Sequence, residues 1–343
     1  MKTKVVYVLS SSPDDLYLEQ TYVSMYSLKL HQPDVYIVLL TDRTTYETFV
    51  GKRLEEIRYA DEVIVVDLEN YTNATAKHRA FELKTLVRNK VDGDLLYVDC
   101  DTIIVRPIAD IDQIDVPIAI CRDSHCNYAD NPYRSMNVDD GKLCGWPSDK
   151  YTVFHNSGVI YVKDLTETRE LYRRWNEGLH KCYDKNLVND QLALAQVNYE
   201  SNGFIHILSD VWNCELKHGI RYLKDAYIVH YLCTNASRHS NKQLFLLNEK
   251  SVLLHIKDTG VIGDDVMQTI NDPFMGLAEL THCFAGEDVY FFRTPMYSYI
   301  RRHFRLGEMS MLMNFLRLMN KIERFFLHIA RIRKGRAAFN DRW

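Results

Sequence analysis

The chain has 343 residues, 46% hydrophobic and 26% charged, enough to bury one large α/β core. It contains no run of about 18 apolar residues, which excludes a membrane-spanning helix, and its first apolar run is too short for a secretion signal. The formal net charge is −4, yet residues 301–343 hold 11 Lys and Arg against 3 Asp and Glu, whereas residues 1–300 hold 31 against 43; so acidic a body argues against nucleic-acid binding and sets the C-terminus apart.

In chain order, Lys4–Leu9 reads as a strand, followed by a Ser-Pro-Asp turn and a loosely amphipathic helix over Leu18–Leu30. Val35–Thr41 is a second strand, Thr44–Tyr59 is predicted helical, and Glu62–Val66 is a third strand. Lys77–Lys90 is a helix and Asp94–Val98 a fourth strand. This alternation predicts a parallel, doubly wound sheet with helices on both faces. No G-x-G-x-x-G follows the first strand, so a dinucleotide oxidoreductase is disfavoured. Arg106–Ile111 turns into a short helix, and Pro117–Cys121 is another strand. Residues 122–152, rich in Asn, Asp, Tyr, Pro and Gly, read as a long functional loop. Phe154–Val162 is a strand, Thr166–Tyr183 and Val188–Val197 are helices, and Tyr227–Tyr231 is a late strand. The eight cysteines are scattered without a C-x-x-C pair, which suits reduced thiols in a cytosol better than zinc or disulfides.

The fourth strand carries the chemistry. Its apolar residues Leu95, Leu96, Tyr97 and Val98 end on Asp99 and Asp101. Unpaired carboxylates beside a core are costly, so this pair asks for a cation. Strand carboxyl ends are also where open α/β sheets bind ligands. The pair therefore reads as a divalent-metal site for a diphosphate.

The stretch L-L-Y-V-D-C-D-T-I-I-V-R-P-I-A-D-I (95–111) resembles the D-x-D region of GT-A-fold glycosyltransferases, most closely those of family 8, which includes glycogenins and bacterial lipopolysaccharide galactosyltransferases. Four further features follow in the family's order: Lys84 on the preceding helix, Asn156-Ser157-Gly158 opening a strand, Asp190-Gln191 opening a helix, and His230 ending a strand. The resemblance spans roughly residues 4–240. It implies a GT-A-type Rossmann-like sheet and a metal-dependent transferase that moves a hexose from UDP-Glc or UDP-Gal to a glycan or lipid-linked saccharide, with retention. It further implies Mn²⁺ or Mg²⁺ on Asp99, Asp101 and His230. Donor binding falls to Ser10, Ser11, Lys84, Asp99, Asn156, Asp190 and Gln191, with Asp190 and Gln191 nearest the reacting carbon. An inverting enzyme would need a carboxylate base, for which Asp190 or Asp130 is available. The family's G-x-x-K-P-W after the histidine is missing here, leaving Arg238 or Lys242 to grip the diphosphate.

Two other classes compete. D-C-D-T with Gly263-Asp264-Asp265 has the look of an aspartyl-phosphate phosphohydrolase, but those enzymes carry their motif on the first strand. A non-catalytic nucleotide-sugar-binding relative would not need the intact D-x-D, Asn156 and Asp190-Gln191.

Residues 241–300 are expected to form an extension on the acceptor side, and 301–343 a basic amphipathic tail. In the tail Leu312, Phe315, Leu316, Met319, Ile322, Phe326 and Ile329 recur at helical spacing, with Arg317, Lys321, Arg324 and Arg331 among them. Half-burying this stripe and placing six charges at an anionic leaflet gives about 10 kcal/mol of gross attraction. The expected location is cytoplasmic, on the inner face of the plasma membrane.

Overall fold

The computed structural model describes residues 1–68, 75–232, 245–277, 294–297, 314–315, 318–319, 321–323 and 325–326. The chain divides into two units, Met1–Thr281 and His282–Trp343. The first unit begins with strand β1 (Lys4–Leu9), helix α1 (Tyr17–His31), β2 (Ile37–Asp42), the single-turn helices α2 (Arg43–Tyr46) and α3 (Lys52–Glu55), and β3 (Glu62–Val66). It continues through α4 (Ala76–Lys90), β4 (Leu95–Val98), β5 (Thr102–Ile104), β6 (Ile118–Arg122), α5 (Arg134–Leu143) and β7 (His155–Val162). Next come α6 (Thr166–Tyr183), α7 (Asp190–Glu200), β8 (His206–Ile207), β9 (Cys214–Glu215), β10 (Ile228–His230), α8 (Lys250–Thr259) and α9 (Asp264–Asn271).

Seven strands form the main sheet in the order β3-β2-β1-β4-β7-β6-β8. The pairs from β3 to β4 are parallel, as expected, but β7 runs antiparallel to both β4 and β6. The sheet is therefore mixed, not wholly parallel. Alternation along β1 splits its side chains between two cores. Val6 and Val8 pack with Leu83 and Val87 of α4 and with Trp175 of α6; Val5, Tyr7 and Leu9 pack with Leu18, Met25 and Leu28 of α1. Helices thus cover both faces.

Three other expectations change. The predicted helix over 44–59 is two separate turns, broken at Val50-Gly51, where Gly51 takes φ +56°. The 122–152 segment is not an irregular loop: it holds α5 and several 3₁₀ turns. A second, three-stranded sheet, β5-β10-β9, was not foreseen. Only β10 was expected, within Tyr227–Tyr231; β5 and β9, of three and two residues, are too short for a periodic signal. Helices α8 and α9 belong to the first unit, where Leu253, Ile256, Val266 and Ile270 pack with Tyr22, Val23 and Ile103. No described helix is long and apolar enough to cross a membrane.

Candidate active site

Strand β4 is buried on both faces, all four residues being at most 3% exposed. Its ladder runs one residue further through Asp99 N–H to Gly158 C=O (2.8 Å), and the Thr102 hydroxyl then bonds Asp99 C=O (2.8 Å), turning the chain into β5. That turn explains how a residue 129 positions away enters the site. Strand β5 pairs antiparallel with β10, setting Thr102 opposite His230, and Tyr231 N–H bonds Asp101 C=O (3.1 Å). His230 Nε2 consequently lies 3.1 Å from Asp101 Oδ1. Asp99, Asp101 and His230 can each turn one ligand atom into a group within 4.8 Å.

The donor set suits a cation. Two carboxylates and an imidazole fit Mn²⁺, and less closely Mg²⁺, in hardness. The imidazole is also oriented for the task. The Gly158 N–H donates to Asn156 Oδ1 (2.9 Å), which fixes that amide. Asn213 Nδ2 donates to the same oxygen (2.9 Å), so Asn213 Oδ1 faces His230 Nδ1 (2.9 Å) and must accept its proton. The Nε2 side is thereby presented to Asp101, the kind of outer support that metal-binding histidines have. Gly158 is required here: a Cβ would fall 2.4 Å from His230 Cε1. Burial pulls the His230 imidazole down, but the adjacent Asp101 carboxylate outweighs it and raises it overall.

Lys84 is the second centre. It projects from α4, whose N-terminus is capped by Thr75 accepting from His78 N–H (3.3 Å). Its ammonium is 3.1 Å from Asp99 Oδ1 and 3.4 Å from Asp190 Oδ2, and it donates to Ser157 Oγ (3.0 Å). Ser157 in turn donates to Asp190 Oδ2 (2.7 Å). Burial opposes the Lys84 charge, yet Asp99 and Asp190 together raise its pKa. Tyr97, held protonated by burial and by Asp99, donates to Asp99 Oδ1. Asp190 opens α7, but the helix cap is Asn189, which accepts from Leu192 N–H (3.0 Å); this leaves the Asp190 side chain for Lys84 and Ser157.

Sequence reading missed Asp123, which ends β6 as Asp99 ends β4. Its Oδ1 accepts from Gln191 Nε2 (3.1 Å) and Asn156 Nδ2 (3.3 Å). The signal, an acid at the end of a buried strand, was present but lay at the edge of the supposed loop. Asn213 had no local signal at all.

Most expected residues therefore converge: Lys84, Asp99, Asp101, Asn156, Asp190, Gln191 and His230 form one connected network. The Asn156 amide is largely taken up in bracing it. A cleft of about 490 Å³ is lined by Asp99, Asp101, Lys84 and Ser10. Ser11 does not line that cleft; its hydroxyl is engaged by Asp15 (2.6 Å) and Arg53 (3.2 Å) and shapes the loop after β1. Asp130 is exposed at the end of a 3₁₀ turn. Arg238 and Lys242 lie outside the described residues.

No family model matches the chain, and no curated protein matches it by sequence. Solved structures do. The galactosyltransferase LgtC, in complex with donor and acceptor sugar analogues, is similar with a TM-score of 0.50 at 11% identity, over 78% of this chain and 99% of its own. The chain has a GT-A fold. Looser similarity extends to mouse xyloside xylosyltransferase 1 (TM-score 0.45, 15% identity, 70% of this chain and 100% of that one) and to the apo glycosyltransferase GlyE of Streptococcus pneumoniae TIGR4 (0.47, 17%, 83% and 67%). In this GT-A chain the acidic cluster stands at the carboxyl end of a central strand, where an open α/β sheet accommodates its ligand.

Proposed function

We propose that the chain is a metal-dependent glycosyltransferase that moves a hexose from a UDP-sugar to a glycan or lipid-linked saccharide. The carrying observation is the Asp99–Asp101–His230 group, joined through Lys84 to Asp190 in a GT-A fold and opening on a ligand-sized cleft. A bound Mn²⁺ or Mg²⁺ would supply charge neutralisation for the departing diphosphate. The protein's own residues do the rest. Lys84, itself buried, places a fixed ammonium beside the cluster, where it adds to that neutralisation. Asp190 and Gln191 offer a carboxylate and an amide to the sugar hydroxyls, and Asp123 orients Gln191. Asp190 is already held by Lys84 and Ser157, and Asp130 is exposed on its own turn. Neither is set up as a general base, which favours transfer with retention.

A thermal-shift panel of UDP-, GDP- and ADP-sugars with and without Mn²⁺ tests the reading. Stabilisation by UDP-hexoses that requires Mn²⁺ is expected; the absence of any Mn²⁺-dependent shift contradicts it.

The reading extends to the tail. Phe315, Met319, Ile322 and Phe326 are helical and 41–63% exposed, and Lys321 between them is exposed; Leu312, Leu316, Ile329 and the interspersed arginines lie outside the described residues. The tail attaches the enzyme peripherally to the cytoplasmic face of an anionic membrane, near lipid-linked acceptors. Truncation at about residue 305 releases the protein from anionic vesicles; unchanged binding overturns this attachment.

A further inference from the structure

Strand β6 leaves the main sheet through a turn with unusual backbone. Asp123 is followed by Ser124 and His125, and both are left-handed, with φ +59° and +53°. Side chains other than glycine disfavour that region, so two such residues in a row persist only where their surroundings hold them. The hold comes from the second sheet. Glu215, in β9, is 1% exposed, and its Oε1 accepts from the Ser124 N–H (3.2 Å). Its own N–H donates to His125 Nε2 (2.9 Å). One residue therefore ties down both left-handed positions. What the turn delivers is Asp123. The Asp123 Oδ2 accepts from Ser124 Oγ (3.1 Å) and Asn131 Nδ2 (2.8 Å), while Oδ1 serves Asn156 and Gln191. A change to extended backbone at Ser124 rotates its Cβ, and with it the hydroxyl that holds Asp123. Strand β9 has a second duty. Glu215 lies beside His230 in the ladder with β10, and Asn213, just before the strand, braces the His230 ring. One short strand thus fixes both the metal-facing imidazole and the carboxylate that orients Gln191.

We infer that Glu215 is a positioning residue for sugar transfer: it holds the Ser124-His125 turn in its left-handed form and so keeps Asp123 on Gln191. This rests on the glycosyltransferase reading above. The Glu215 side chain is buried and acts through Asp123, so its effect on the reaction vanishes once the Asp123 carboxylate is gone. Strain stored in a turn at the edge of a site, and held there by a neighbouring sheet, is a means of fixing one side chain closely enough for chemistry.

The test is steady-state release of UDP from a UDP-hexose by the full-length chain with Mn²⁺, beside calorimetric titration with UDP and Mn²⁺. In Glu215→Leu, kcat falls about tenfold or more while UDP affinity stays within about twofold, because the metal and diphosphate groups are left in place. Glu215→Gln keeps a carbonyl oxygen for the Ser124 N–H and retains near-wild-type kcat. Adding Ser124→Gly to Glu215→Leu restores part of the loss, since glycine adopts the left-handed form at no steric cost; it also restores folding if Glu215→Leu alone does not fold. In an Asp123→Ala background, Glu215→Leu lowers kcat no further. Unchanged kcat in Glu215→Leu, an equal fall in UDP affinity, or a Glu215→Gln variant as poor as Glu215→Leu overturns the inference. So does the absence of rescue by Ser124→Gly, or independent losses from Asp123→Ala and Glu215→Leu. A wild-type chain that releases no UDP overturns the glycosyltransferase reading itself.

Discussion

Two sets of carboxylates in the same unit, one partly buried and one fully buried, are treated in opposite ways. Around the end of β4 three acids have cationic neighbours: Asp99 and Asp190 share Lys84, and Asp101 faces His230. Behind the loop after β1, Glu19 and Glu56 are 0% and 2% exposed, yet among the described residues neither Glu19 oxygen nor Glu56 Oε2 has a hydrogen-bond partner. One cation near Glu19, Lys257, stands 3.6 Å away and spends donors on the Pro13 and Asp15 carbonyls. Burial pushes Glu19 up, and burial together with the Glu19 charge pushes Glu56 up to about 7. One region keeps its acids in ion pairs within reach of a ligand; in the other, burial favours the protonated form of both acids.

Removing one ligand breaks the first region most completely. Asp101→Ala lowers transfer by about 10³-fold or more, since the developing diphosphate charge loses its counter-ion. Asp101 is part-exposed, so the melting temperature barely moves; a large fall would recast Asp101 as a structural residue. Next comes Lys84→Met. It leaves the Asp99 and Asp190 carboxylates facing one another without their ammonium, and urea unfolding should show a loss of about 3–5 kcal/mol. Adding Asp190→Asn should restore part of that, and strict additivity of the two changes would contradict a shared ion pair.

The comparison also marks what was legible in the sequence. Asp99 and Asp101 stood out because an apolar run ends on them, and Lys84, Asn156, Asp190, Gln191 and His230 because they fall in order along a family resemblance. Long periodic elements were equally readable, such as the helix Thr166–Tyr183. The reversal of β7 was not, because strand direction is set by the 122–152 connection, where Asn, Asp and Gly mask the helix Arg134–Leu143. Asn213 gains meaning only when the two sheets meet, whereas Asp123 ends a buried strand but lay at the edge of the supposed loop. Glu19 and Glu56 look like solvated helix charges in the sequence; that both are buried is a product of tertiary packing.

Smaller changes sharpen the contrast. Gly158→Ala drives a methyl into the His230 ring, and should weaken Mn²⁺ binding at least about tenfold while costing about 1–3 kcal/mol of stability. Wild-type Mn²⁺ affinity would show that His230 does not ligate. Glu56→Gln acts in the opposite sense. The Glu56 carboxyl is raised from 4.5 to about 7 in the folded chain, so its stabilising protonation is complete below pH 4.5 and is lost as pH climbs through 7. The variant should therefore gain about 2 kcal/mol at pH 8 and almost nothing at pH 4.5, measured by denaturant unfolding at both pH values. An equal gain at both would refute the proton.

The most direct measurement is the anomalous signal of manganese in crystals soaked with Mn²⁺ and UDP. A peak within coordinating distance of Asp101 and His230 Nε2, with the diphosphate on its open side, is expected. A peak elsewhere, or UDP bound with these side chains free of metal, would contradict the account.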